Sequence, residues 1–325
     1  MVPDPQVLFW KKVLPRIEVI AEQVRPAAVI TSSPMHSVHV VGKTLKRRFA
    51  LPWAADFRDP YTLDHRFRPR CLGRSALTLH RRFERSIYNE ADQVWHAIPL
   101  HARWASRQFP RARGKIRVLT HPVPQLPEPN EARGPVAKKS LTVSVVGSIS
   151  PEIALLLAQA ITKLNAIEVT EKFVLRLVGR MPENTATLRE VFGEAVKVVG
   201  PLVHELAKRE ISSADILVNV LSPERQANIG VSSKLYEYAA TSSPILTINP
   251  TRPDRWLLRR LKGVECIDHP DVSAVASCLR GLARTSDDLR SARESFRENF
   301  SWNAHLNTVT HSLKDLTEVR HTSDG

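Results

Sequence analysis

Residues 141–179 read LTVSVVGSISPEIALLLAQAITKLNAIEVTEKFVLRLVG, and the two ends of this stretch nearly repeat each other. Each is a short run rich in Val and Leu that closes on a glycine. Between them IALLLAQAITKL has the apolar spacing of a helix with one buried face. Strand, helix and strand in this order predict a parallel βαβ unit, because a parallel connection needs a crossover of a dozen or more residues. The same pattern continues downstream with a helix near 185–193, the strand VKVVG, the helix VHELAKREISS and the strand ADILVNV. Such alternation gives an α/β fold, a parallel sheet covered by helices. Gly147, Gly179 and Gly200 each close a strand, the edge at which doubly wound sheets bind ligands.

Residues 1–121 follow a shorter version of this pattern. The helix FWKKVLPRIEVIAEQV leads to strands AAVITSS, LPWAADF, DQVWHAI and KIRVLTH, separated by helical stretches. Between the two regions, PVPQLPEPNEARGPVAKKS carries five prolines and no aromatic residue, the composition of a linker. The expected organisation is a first domain at 1–121, a linker at 122–140, a second domain at 141–300, and a C-terminal helix at 301–325 that packs back on the first domain. Four strands are few for a domain of this kind, so the first is expected to lack its opening strands.

The chain has 325 residues, enough for two domains, and 42% of them are hydrophobic, as a protein with a proper core requires. Its three cysteines are widely spaced with no CxxC pair, which fits neither a disulfide framework nor a zinc site. The opening MVPDPQVLFW has no basic segment followed by an apolar core, and the apolar run IALLLAQAI is about half a membrane span. A cytoplasmic protein is expected. Of the net charge of +14, residues 1–125 hold 22 Lys and Arg against 9 Asp and Glu, a balance of +13. A basic face of this kind attracts nucleic acid, anionic lipid or an anionic substrate. Residues 66–85, RFRPRCLGRSALTLHRRFER, hold seven arginines among Phe67, Leu72, Leu77, Leu79 and Phe83, the pattern of an interfacial segment on anionic lipid or of a solvated helical face. No RNP, helix-turn-helix or zinc-finger pattern supports nucleic acid, which is not expected as a partner.

One short stretch asks for a chemical reading. GVSSKLYEYAA, residues 230–240, places Lys234 and Glu237 three positions apart where a polar loop becomes a helix. A capping box would need the acid three residues after the cap, where Leu235 and Tyr236 stand. A surface i,i+3 pair is the plain alternative, worth roughly 0.2–0.5 kcal/mol.

The strings ITSSPMHSVHVVGKTLKRRFALPWAADFRDP, FVLRLVGR, ADILVNV, SSKLYEYAATSSPIL and FSW resemble bacterial retaining glycosyltransferases of family 4. The resemblance covers almost the whole chain. It implies the GT-B fold, two Rossmann-like domains facing across a cleft. The second domain would bind a nucleotide sugar, and the first would contact a glycan or lipid-linked acceptor. It also implies that Glu237 holds the donor ribose and that Lys234, with Ser232 and Ser233, faces the diphosphate. Gly147, Ser148 and Arg180 join the donor site, and Asp59, with Asp56 and Arg58, lies at the reacting sugar. The sequence departs from the family in two places: Ile229 stands where a first acid is common, and the loop after Gly147 reads SISPE without the usual cations. No DxD motif occurs, so a metal-independent transfer without a cofactor is expected, in cell-envelope or exopolysaccharide synthesis and with a peripheral place on the inner membrane face. A non-catalytic GT-B protein that binds a nucleotide or a partner is the rival reading. His36 and His39 are expected at the surface, and Trp53, Trp95, Trp104 and Trp302 in the core or in domain packing.

Overall fold

The computed structural model describes residues 2–63, 73–124, 140–168, 171–181, 186–221, 230–285 and 289–318. The chain divides into two compact units, one of residues 1–121, 228–230 and 302–325, the other of residues 122–227 and 231–301.

The first unit runs α1 (Val7–Val24), β1 (Val29–Ser32), α2 (His39–Phe49), β2 (Trp53–Phe57), α3 (Arg74–Glu90), β3 (Gln93–His96), α4 (Pro99–Gln108) and β4 (Ile116–Val118). Its four strands are all parallel, in the order β1-β2-β3-β4. Right-handed crossovers that always step in one direction put every connecting helix on the same face. The core agrees. Trp53, Ala55, Phe57 and Val94 point to that face and pack with Ile87 and Tyr88 of α3 and Ala105 of α4. Ala21 of α1 packs there with Val41 and Leu45 of α2. The opposite face, with Ala54 and Trp95, is covered by the last helix of the chain through Leu313 and Leu316.

The second unit runs β5 (Ser140–Val146), α5 (Pro151–Ile167), β6 (Lys172–Val178), α6 (Ala186–Phe192), β7 (Val196–Gly200), α7 (His204–Ser213), β8 (Ile216–Val220), α8 (Ser233–Ala239), β9 (Ile245–Ile248), α9 (Arg252–Leu258), β10 (Val264–Ile267), α10 (Val272–Ala283), α11 (Leu289–Ala292) and α12 (Glu294–Asn299). The chain then enters α13 (Trp302–Glu318) of the first unit. Six parallel strands lie in the order β10-β9-β8-β5-β6-β7. The order reverses between β5 and β8, the switch point of a doubly wound sheet. One face buries Leu157, Ile161 and Leu164 of α5 with Leu279 of α10, each fully buried. A fully buried side chain of this size contributes about 1.5–3 kcal/mol. The other face holds Leu235 and Tyr238 of α8 with Leu217, Ile245 and Leu257.

Three expectations need correction. Leu77 and Phe83 turn into the core of the first unit, so among the described residues of 66–85 only Leu79 is an exposed large apolar side chain. Residues 64–72, with Phe67 and Leu72, lie outside the description. His36 and His39 are buried, at 8% and 0% exposure, because the turn after β1 lays both rings against Phe57. Trp302 is 51% exposed on α13, whereas Trp53 and Trp95 are buried. Among the described residues no helix is long and apolar enough to cross a membrane.

Candidate functional site

The ends of β5, β6 and β7 are tied by their glycines. Gly147 N–H donates to Val178 O at 2.6 Å, and Gly179 N–H donates to Gly200 O at 2.8 Å. Both glycines have a positive φ, +125° at Gly147 and +130° at Gly179, which a side chain would strain. A Cβ on Gly179 would fall 2.6 Å from Gly147 O. A Cβ on Gly147 would fall 1.7 Å from Lys234 Nζ and 2.3 Å from Lys234 Cε. The lysine stem therefore lies directly over the bare backbone that ends β5.

A cavity of about 310 Å³ opens here, at the switch between β5 and β8. Lys234, Ser232, Ser148 and Ser150 line it together with Asn219 and Tyr238. Asn219 is 2% exposed and its amide nitrogen has no hydrogen-bond partner. A donor left unsatisfied at this depth costs about 1–3 kcal/mol, so it marks a place where a ligand oxygen would be welcome. Tyr238 fixes the floor, its hydroxyl accepting from Val146 N–H at 3.2 Å. The loop Ser148–Ser150 leads into α5, whose first turn already holds an acid. Glu152 accepts bonds from its own backbone and from Ser150, which lower its pKa. Lys234 is consequently the cationic element of the cavity lining.

Two buried charges hold α8, which carries Lys234. At its start Asp254, fully buried, accepts from Ser232 N–H at 2.9 Å and from Thr251 N–H and Oγ1 at 2.9 and 2.6 Å. Burial raises the Asp254 carboxyl above its ordinary value, against these bonds. At the far end Arg293, also fully buried, donates to Thr241 O, Ser243 O and Lys262 O at 2.9, 3.0 and 2.7 Å. Thr241 and Ser243 follow the last turn of α8, where orphan carbonyls and the negative end of the helix favour a cation. Burial lowers the Arg293 pKa to about 10.

The structure thus brings Gly147, Ser148, Ser232 and Lys234 together. Ser233 and Arg180 are exposed and outside the cavity lining. Glu237 is also outside it, on the next turn of α8. Burial raises its pKa, and the charges of His204, Lys234 and Lys208 oppose that rise. Its surroundings are therefore as much those of α7 as of Lys234. Sequence reasoning missed Asn219, Tyr238, Asp254 and Arg293. Asn219 had a visible signal, a lone amide inside the apolar strand ILVNV.

In the first unit, Asp59 is exposed and lies near Gly230, whose Cβ would stand 3.1 Å from Asp59 Oδ1. Asp56 at the end of β2 accepts from Ser32 Oγ at 2.7 Å. Burial raises its pKa, opposed by Ser32, Arg58 and His305. His121 is pushed down to about 4 by burial, and then by Arg58 and His305. A carboxylate and a neutral imidazole are thus gathered at the C-terminal edge of this sheet. Among the described residues no group of three or more His, Cys, Asp or Glu is placed to hold a metal ion.

No family model and no curated protein matches the chain. Solved structures do. A glycosyltransferase from Rickettsia africae ESF-5 is similar at a TM-score of 0.67 and 15% identity, over 97% of this chain and 83% of that one. A putative UDP-N-acetylglucosamine 2-epimerase from Listeria monocytogenes is similar at 0.64 and 9% identity, over 98% and 82%. Anabaena HepE, solved in complex with UDP and glucose, is similar at 0.57 and 11% identity, over 92% and 80%. At such identities the likeness is one of fold: two Rossmann-like α/β units, the GT-B architecture.

Proposed function

We propose that the protein is a glycosyltransferase that moves a sugar from a nucleotide-sugar donor to a glycan or lipid-linked acceptor in cell-envelope or exopolysaccharide synthesis. The observation that carries this reading is Lys234 laid over Gly147 in the cavity at the β5/β8 switch point. As the glycosidic bond breaks, negative charge grows on the leaving diphosphate. A fixed ammonium beside it stabilises the transition state more than the ground state. Ser148, Ser232 and the unsatisfied Asn219 amide would bond phosphate or sugar oxygens, and Glu237 would take the ribose hydroxyls. The Anabaena structure of this fold, in complex with UDP and glucose, supports a nucleotide sugar as ligand. Retention of configuration rests on the family resemblance of residues 232–246, SSKLYEYAATSSPIL, and of ADFRDP. The first unit, with Asp56 and Asp59, would meet the acceptor. Lys234 supplies the charge that a metal supplies elsewhere, so excess EDTA should leave transfer intact.

The test is a panel of UDP-, GDP- and ADP-sugars incubated with the protein and candidate glycan acceptors, followed by proton NMR. An α-linked product from an α-linked donor is expected. Conversion of UDP-N-acetylglucosamine to its 2-epimer without an acceptor would assign the site to the epimerase chemistry named for the Listeria protein. Activity abolished by EDTA and restored by manganese would remove Lys234 from its proposed role.

A further inference from the structure

The outer surface of the first unit's helical layer has a composition that the donor site does not use. Because β1 to β4 step in one direction, α1, α2, α3 and α4 all lie on one face of the sheet. Arg81, Arg82 and Arg85 of α3 and Arg103, Arg107 and Arg111 of α4 and the turn after it are all exposed. No carboxylate occurs between residues 93 and 127. On α3, Glu84 is buried and Glu90 pairs with Lys43 and Arg47. The layer is also apolar at one end. On α1, Leu8, Phe9, Val19, Ile20 and Val24 are each at least half exposed. Phe9 and Ile20 are eleven residues apart, three helical turns, and so are Leu8 and Val19. They share the outward side of the helix with Lys12 and Arg16, while Trp10, Leu14, Ile17 and Ala21 pack inward on α2.

We propose that this layer docks on an anionic lipid bilayer. Arginines of α3 and α4 would meet lipid phosphates, and the apolar side chains of α1 would enter the headgroup region, with Lys12 and Arg16 reaching back to the phosphates. Cations alone would suit a nucleic acid as well. The exposed aliphatic stripe decides between them, since a phosphate backbone has no use for Ile20 or Val24 and an acyl boundary does. The surface belongs to the first unit alone, and its test reads binding rather than transfer. Its failure is therefore distinct from failure of the glycosyltransferase reading.

The experiment is co-sedimentation of the full chain with vesicles of phosphatidylcholine, with and without phosphatidylglycerol, across a salt series. Each arginine near such a surface is worth about fivefold in partitioning at low salt. The parent should bind phosphatidylglycerol vesicles in low salt and not phosphatidylcholine alone. Arg82→Gln/Arg85→Gln/Arg103→Gln/Arg107→Gln should bind at least about tenfold more weakly, since these side chains are exposed. Phe9→Ser/Ile20→Ser should bind phosphatidylglycerol vesicles more weakly than the parent at the same low salt, because the apolar side chains add to the charge attraction. Unchanged circular dichroism melting of both variants would show that the fold is kept. For a variant that melts early, parent binding decides by its lipid and salt dependence alone. Equal binding to neutral vesicles, no binding to anionic ones, or parental binding by either folded variant overturns the proposal. So does random-sequence DNA that strips the parent from the vesicles and holds both parent and Phe9→Ser/Ile20→Ser equally well.

Discussion

Gly147→Ala tests the geometry of the cavity through a single methyl group. The new Cβ would lie 1.7 Å from Lys234 Nζ and 2.3 Å from its Cε, so the ammonium must move by about 2 Å to reach ordinary contact. A charge-assisted hydrogen bond at about 2.8 Å does not survive such a shift. Its loss is worth about 1.5–3 kcal/mol, or roughly 10- to 150-fold in nucleotide-sugar affinity. The fold should survive, because the obstructing atoms are the mobile end of a side chain. Alanine at φ +125° adds a strain of about 1–3 kcal/mol, readable as a shift in urea midpoint. Calorimetry on parent, Gly147→Ala, Lys234→Ala and the double variant forms a cycle. If the methyl acts by displacing Lys234, the double variant should bind no worse than Lys234→Ala. Strictly additive losses, or parental affinity in Gly147→Ala, would refute the placement of Lys234 over Gly147 as the basis of binding.

Other outcomes follow from the same structure. Glu237→Ala should weaken the best nucleotide sugar by roughly one to two orders of magnitude by calorimetry while leaving the urea midpoint within error, since its partner in the proposed complex is the ligand. Arg293→Met should lower unfolding free energy by at least about 3 kcal/mol, because several buried carbonyls lose their donor; Arg293→Lys should recover part of it. Glu84 is held at about 7 by burial, against 4.5 for an exposed glutamate, although Thr62 bonds to it. Between those values the folded chain keeps the proton and the unfolded chain has released it, so Glu84 costs stability as pH rises through this window. Glu84→Gln should therefore gain on the parent by about 3 kcal/mol from pH 4.5 to 7 and no further above it, measured by urea unfolding at each pH.

The alternation of strands and helices was legible because a buried parallel strand must be apolar on both faces and must end where the chain turns. VVG and LVG show both features in three letters. Lys234 was legible for a local reason too, since it opens a helix directly after a strand and loop. Asp254 and Arg293 were not, although they hold the same helix. Asp254 meets Ser232 across 22 residues, and Arg293 meets Thr241 across 52, and neither contact leaves a periodic trace. His36 and His39 misled for a related reason. They follow the polar stretch TSSP, but Thr31 Oγ1 bonds His39 Nδ1 at 2.8 Å and Trp53 Nε1 donates to the same hydroxyl at 2.8 Å. A histidine supplied with a partner by the strand before it can be buried neutral, and burial lowers the pKa of His39 well below its ordinary value. The basic face was legible as charge but not as a surface. Only the fold shows that Leu77 and Phe83 belong to the core and that, among the described residues of the helical layer, the exposed large apolar side chains are those of α1 with Leu79 of α3.

The most direct measurement is a crystal structure of the full chain grown with the nucleotide sugar that binds best in calorimetry. The diphosphate should lie in the cavity between β5 and β8, with an oxygen within hydrogen-bond distance of Lys234 Nζ and others beside Ser148 and Asn219. A nucleotide bound elsewhere, or a diphosphate that leaves Lys234 over an empty cavity, would contradict the account.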